Sequence, residues 1–127
     1  MKEGFAIITN NPLVLKEMKA GHNIIYKETS YEGLLLEVRA LIHKGYRLLT
    51  HPLSGSVKPK ETPYKSVLIS NGSFKRVDAD SLKLIEGAIE TCRKFEDKTG
   101  RYSEGVLKDF ELIDMDLIKG AIASAYI

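Results

Sequence analysis

The chain has 127 residues, enough for one domain with a substantial apolar core. Hydrophobic residues make up 43% and charged residues 28%, and the formal net charge is only +2, which argues against a general nucleic-acid footprint. One cysteine, Cys92, excludes an intramolecular disulfide and any multi-cysteine zinc or iron–sulfur centre, and no run of about 18 apolar residues is present to span a membrane.

The start, "MKEGFAIITNNP", has too short an apolar core for a secretory signal, so a reducing cytoplasm is the expected compartment. "GFAIIT" reads as a strand covered on both faces. Asn11 supplies a cap and Pro12 a first helical residue, so a helix is expected from Pro12 to about Ala20, ended by a left-handed Gly21. "NIIYKE" reads as a more polar edge strand. Ser30 then opens a helix whose Leu34, Leu35, Val38, Leu41 and Ile42 form one stripe, and Gly45 ends it. "YRLLTH" is read as a third strand and "SVLIS" as a fourth, with a turn at "NGS". Asp78 or Asp80 caps a long helix with Leu82, Ile85, Ala88, Ile89, Cys92 and Phe95 on its stripe. The remainder reads as two helices or one bent helix, with Leu117, Ile118, Ala121, Ile122 and Ala125 on an apolar face.

The alternation predicts a single α/β domain over residues 1–127: a mostly parallel sheet of about four strands sandwiched by helices, with a helical C-terminal third. The step from the third to the fourth strand lacks a helical pattern. It could cross over without a helix, or the fourth strand could run antiparallel.

That step, Thr50 to Ser66, is "THPLSGSVKPKETPYKS" and holds three of the four prolines. Prolines reduce the entropy lost on ordering, and a connection this long in a compact domain tends to be functional or disordered. Ser54, Gly55, Ser56 and Lys58 have the chemistry of an anion cradle; the alternative is a surface loop with solvated lysines. His51 is either a general acid/base or a brace for the turn before Pro52. If the first and third strands are neighbours, Asn10, Asn11, His51, Ser54 and Ser56 share one rim of the sheet. Neither a Walker A loop nor a dinucleotide fingerprint is present, and the histidines do not form an H-x-x-x-H pattern, so no cofactor and no metal are expected. The small residues of "AIASAYI", with Tyr126 and Ile127, suit either packing onto the domain or a homo-oligomer contact through the C-terminal helix.

"ITNNPLV" together with "VRALIHKGYRLLTHPLSGSVKPKETPYKSVLIS" resembles the GrdX family, and the likeness continues more loosely through "SLKLIEGAIETCRKF". These are small proteins encoded with the glycine, sarcosine and betaine reductase systems of amino-acid-fermenting anaerobes. The resemblance implies an accessory role beside a reductase component, and it supplies no catalytic residues. Two functional readings follow. One is an accessory module that binds a reductase component or a small anion through residues 50–66. The other is a small enzyme acting on a phosphorylated or carboxylated metabolite, with His51 as acid/base and Lys58 as an electrostatic stabiliser.

Overall fold

The computed structural model describes residues 4–55 and 57–125. Its sheet has three strands, β1 (Phe5–Thr9), β2 (Ile24–Tyr26) and β3 (Ser66–Ser70), in the order β2-β1-β3. β1 pairs parallel with β2 and antiparallel with β3. The expected four-strand, mostly parallel sheet is therefore corrected to a mixed, three-stranded one.

The correction has a physical origin in residues 46–50. This segment does run alongside the sheet, with Leu48 bridged antiparallel to Ile69 of β3, but it forms a single bridge rather than a strand. Leu49 N–H to Leu68 O and Ser70 N–H to Arg47 O, both 2.9 Å, make that bridge, and hydroxyl side chains take over around it. Leu48 N–H donates to Ser81 Oγ (2.9 Å), Arg47 N–H to Ser70 Oγ (3.0 Å), and Thr50 Oγ1 accepts from Leu68 N–H (3.1 Å). Because the segment is antiparallel to β3, it is parallel to β1 and β2, as a βαβ winding requires. β3 has been inserted between β1 and this segment, entering from the loop in the reverse direction.

Helices cover both faces. α2 (Tyr31–His43) and α3 (Ala79–Cys92) pack on the face presenting Ala6, Ile8, Val67 and Ile69. α1 (Pro12–Met18) and α4 (Glu104–Ala125) cover Phe5, Ile7 and Leu68 on the other. The alternation along β1 and β3 is the period-two signature of a sheet buried on two sides. Asn11 caps α1 through Leu13 N–H, Ser30 caps α2 through Gly33 N–H, and Asp78 rather than Asp80 caps α3 through Ser81 N–H.

Other expectations change in detail. α1 stops at Met18, and the turn after it is closed by Gly21 N–H to Met18 O (3.3 Å) without a left-handed glycine. The C-terminal third is one 22-residue helix after a short 3-10 turn (Thr99–Arg101), and on it Leu117 is exposed rather than core-facing. Phe95 lies beyond the end of α3 and is likewise exposed. Tyr126 and Ile127 lie outside the described residues. No described helix is long and apolar enough to cross a membrane.

Gly45 ends α2 as expected, at φ +101°. Tyr46 N–H bonds Leu41 O and Gly45 N–H bonds Ile42 O, the two bonds of a Schellman cap. A β-carbon on Gly45 would also collide with the Phe74 carbonyl. Gly45→Ala is therefore expected to destabilise the chain by at least about 2 kcal/mol in urea unfolding, whereas Gly87→Ala, which meets open space within α3, should stabilise it by about 0.5–1 kcal/mol.

Candidate functional site

The end of β1 carries "TNNP", and every one of its polar side chains is used. Thr9 Oγ1 lies 2.7 Å from Ser66 Oγ and accepts from Asn11 N–H (2.9 Å). Asn10 donates through Nδ2 to Thr29 O (2.9 Å) and Pro63 O (2.8 Å), and its Oδ1 accepts from Lys65 N–H (2.8 Å). One buried amide thus ties β1 to the segment after β2 and to the returning loop. Asn11, fully buried, caps α1 through Oδ1 and donates through Nδ2 to Glu111 O and to Asp114 Oδ2 on α4.

Asp114 is the centre of this rim. It is buried, and it accepts from Ser66 N–H (3.1 Å), Ser66 Oγ–H (2.6 Å) and Asn11 Nδ2 (3.0 Å). Burial pushes its carboxyl above the usual range, although the hydrogen bonds from Ser66 and Asn11 and the charge of Lys65 pull the other way. Lys65 is also buried, and burial pulls its ammonium below the ordinary value; its Nζ donates to Ser54 O (2.8 Å). Tyr64 donates to Glu111 Oε2 (3.2 Å), and burial, reinforced by Glu111, pushes its hydroxyl up to about 12. Among the described residues, no fully buried side-chain nitrogen or oxygen lacks a partner. The cavity beside this cluster, lined by Tyr31, Thr62, Tyr64, Lys65, Asp114 and Leu117, has about 10 Å³ of free space, room for roughly one water.

The sequence-derived residues divide into two groups. Asn10 and Asn11 are brought together, and Asn10 bonds the end of the loop, residues 62–66; from its start Ser54 reaches this rim, where it lines the small cavity and its carbonyl is held by Lys65 Nζ. His51 follows the edge segment, which β3 separates from β1. His51 is exposed, and its Nδ1 accepts from Leu53 N–H (3.1 Å). It borders an open groove of about 650 Å³ along α3, lined also by Leu53, Asp80, Lys83 and Leu84. Ser54, Gly55 and Lys58 are exposed on the loop, and Ser56 lies outside the described residues. The Ser54 amide donates to His51 O (3.0 Å), so it closes a turn. Gly55, at φ +117°, packs where a β-carbon would press on Leu117 of α4. Cys92 is buried as the helix stripe predicts, and burial raises its thiol. No group of three or more His, Cys, Asp or Glu residues among those described is arranged to hold a metal ion.

The sequence reading missed Thr9, Lys65, Ser66 and Asp114. Asp114 did leave a signal: it precedes Met115 and lies four residues before Ile118, so an acid falls on the buried stripe of α4.

Asp114→Ala would leave three buried donors without their acceptor, an expected loss of about 3–5 kcal/mol in urea unfolding. Asp114→Asn keeps the shape and one acceptor and should cost less. Because the folded-state pKa of Asp114 is raised above 3.8, its contribution to stability is full below that value and declines as pH rises through the folded-state pKa. The stability advantage of the parent chain over Asp114→Asn is therefore expected to narrow as pH rises across that window. A widening gap in pH-resolved unfolding curves would contradict the assignment.

Neither a curated protein nor a solved structure matches the chain. A family model, GrdX-like protein, matches residues 6–123, which takes in β1, all four helices almost to the end of α4, and the whole of the 50–66 loop. On that match the chain belongs to the GrdX-like protein family.

Proposed function

We propose that the chain is a cytoplasmic accessory protein of glycine, sarcosine or betaine reductase systems, acting as a single α/β module that meets a reductase component or a small anion through residues 50–66. The observation that carries this reading is an exposed loop with many internal anchors. Asn10 holds Pro63 and Lys65, Lys65 holds Ser54 O, and Lys60 pairs with Glu32 (3.1 Å). Lys98 N–H and Tyr102 Oη–H donate to the carbonyls of Lys60 and Glu61. These anchors lower the backbone entropy left to lose at binding, which favours recognition through Ser54, Gly55 and Lys58. Asn10 and Asn11 act here as anchors, while His51, Ser54, Gly55, Ser56 and Lys58 are the contact residues.

Of the two ligand classes, a protein component is favoured over a small anion. The Ser54 amide is already engaged by His51 O, which removes one donor from a backbone cradle. With Nδ1 accepting from the Leu53 amide, neutral His51 carries its proton on Nε2, so that nitrogen can serve as an acid but not as a base, which narrows the enzymatic reading.

Calorimetric titration of the chain against each purified reductase component, with and without phosphate, tests the proposal. One component is expected to bind, and Lys58→Glu should weaken that binding by about tenfold with an unchanged melting midpoint. Absence of binding to every component and to phosphate would overturn it.

A further inference from the structure

The other end of β3 is built differently. The turn after it, "NGSFKRV", is exposed at all seven residues from Asn71 to Val77. Its backbone is nevertheless held. Phe74 N–H donates to Gly45 O (2.9 Å), Ser70 Oγ–H to Gly72 O (2.8 Å), and Ser70 N–H to Arg47 O (2.9 Å). Phe74 is 49% exposed, Val77 43% and Leu49 on the adjoining edge segment 50%, so these apolar side chains serve no core. The Arg47 guanidinium lies over the Phe74 ring at 4.0 Å from its centroid.

The charge at this end is one-sided. Lys44, Arg47, Lys75 and Arg76 bring four positive charges to a chain whose formal net charge is +2. Between Val38 and Val77 the only acidic residue is Glu61, which sits in the loop at the opposite end of β3. Asp78, which follows the turn, accepts from Ser81 N–H (3.0 Å) and Ser81 Oγ–H (2.7 Å) and offsets part of the charge of Arg47, leaving Lys44, Lys75 and Arg76 in excess.

We propose that the 71–77 turn, with Lys44, Arg47 and Leu49 beside it, is a docking surface for an acidic protein segment that carries an apolar side chain. Exposed Arg and aromatic residues on a fixed backbone are the composition of interface anchors, and the surrounding cations select carboxylates. A nucleic acid fits less well. Two cations on the turn and two beside it do not make a stripe that tracks a phosphate backbone, and the one exposed ring of this surface, Phe74, already has the Arg47 guanidinium over it. The turn leaves β3 at the end opposite to the one that residues 62–66 enter, and of this surface only Leu49, next to Thr50 in the chain, comes near that loop.

The test is a selection of random short peptides displayed on phage against the intact chain, followed by fluorescence polarisation with the enriched peptides. Enriched sequences should pair Asp or Glu with Leu, Ile or Phe, and their affinity should fall as salt is raised. Phe74→Ala, Arg47→Gln and the double change Lys75→Glu, Arg76→Glu should each weaken binding by about tenfold or more with melting midpoints held. Lys16→Glu, an exposed charge change on α1, should alter it by less than about twofold. The proposal is overturned if no acidic sequence is enriched, if enriched peptides bind the three variants as well as the parent, or if an oligo-dT of similar length binds tighter at the same salt.

Discussion

The carboxylate of Asp114, buried against Ser66 and Asn11, is the constraint on which the arrangement of the sheet's upper rim depends. Of the 22 residues of α4, only Asp114, Met115 and Ile118 are buried among those described. An apolar stripe that narrow would tolerate sliding or rotation of the helix by a turn. A carboxylate that must meet one backbone amide, one hydroxyl and one carboxamide does not. A fully satisfied polar network in a low-dielectric site selects a single register, because every displaced register leaves a buried donor unpaired at a cost of about 1–3 kcal/mol each. The same contacts couple α4 to β1, to β3 and to the start of α1 at once.

Much of the architecture was legible from local patterns. The helix caps at Asn11, Ser30 and Asp78 depend on a side chain reaching an amide two or three residues on, which sequence spacing reports directly. The stripe of α2 and the Schellman glycine at Gly45 are equally local. Strand count and direction were not, because they depend on partners far apart in the chain. Residues 46–50 have the composition of a strand, and their backbone follows one edge of β3. Yet only Leu49 N–H to Leu68 O and Ser70 N–H to Arg47 O join the two backbones; beyond them Ser70 Oγ accepts from Arg47 N–H and Thr50 Oγ1 from Leu68 N–H where a regular ladder would place carbonyls. No periodicity rule distinguishes an extended segment held by one bridge and flanking hydroxyls from one held by a full ladder.

The candidate site followed the same division. Asn10 and Asn11 were legible as rim residues because they end a buried strand and open a helix. Their meeting with His51 assumed a strand adjacency that β3 prevents. In place of His51 the rim received Lys65, Ser66 and, from α4, Asp114. Contacts such as Asn11 to Asp114 span 103 residues of sequence. An ionisable residue on an apolar stripe flags such a partner without naming it, since the stripe gives the direction of burial but not what lies across from it.

A buried network that is fully paired has no capacity left for a ligand, and the 10 Å³ beside Asp114 admits nothing larger than a water. The polar cluster that is most conspicuous in the structure is therefore best understood as the support of a surface. Its effect is felt at Ser54, whose carbonyl is held by Lys65, and at Gly55, which rests on Leu117 of the helix that Asp114 positions. At the far end of β3 the division of labour repeats with different chemistry: Gly45 and Ser70 fix the backbone of the turn while Phe74, Lys75 and Arg76 remain outside. Five-residue strands give little area over which to spread contacts, so both ends of β3 are stiffened by side-chain-to-backbone bonds. Rigid backbone with unburied side chains is the combination that lowers the entropic cost of recognition, and in this chain it occurs where the sheet stops.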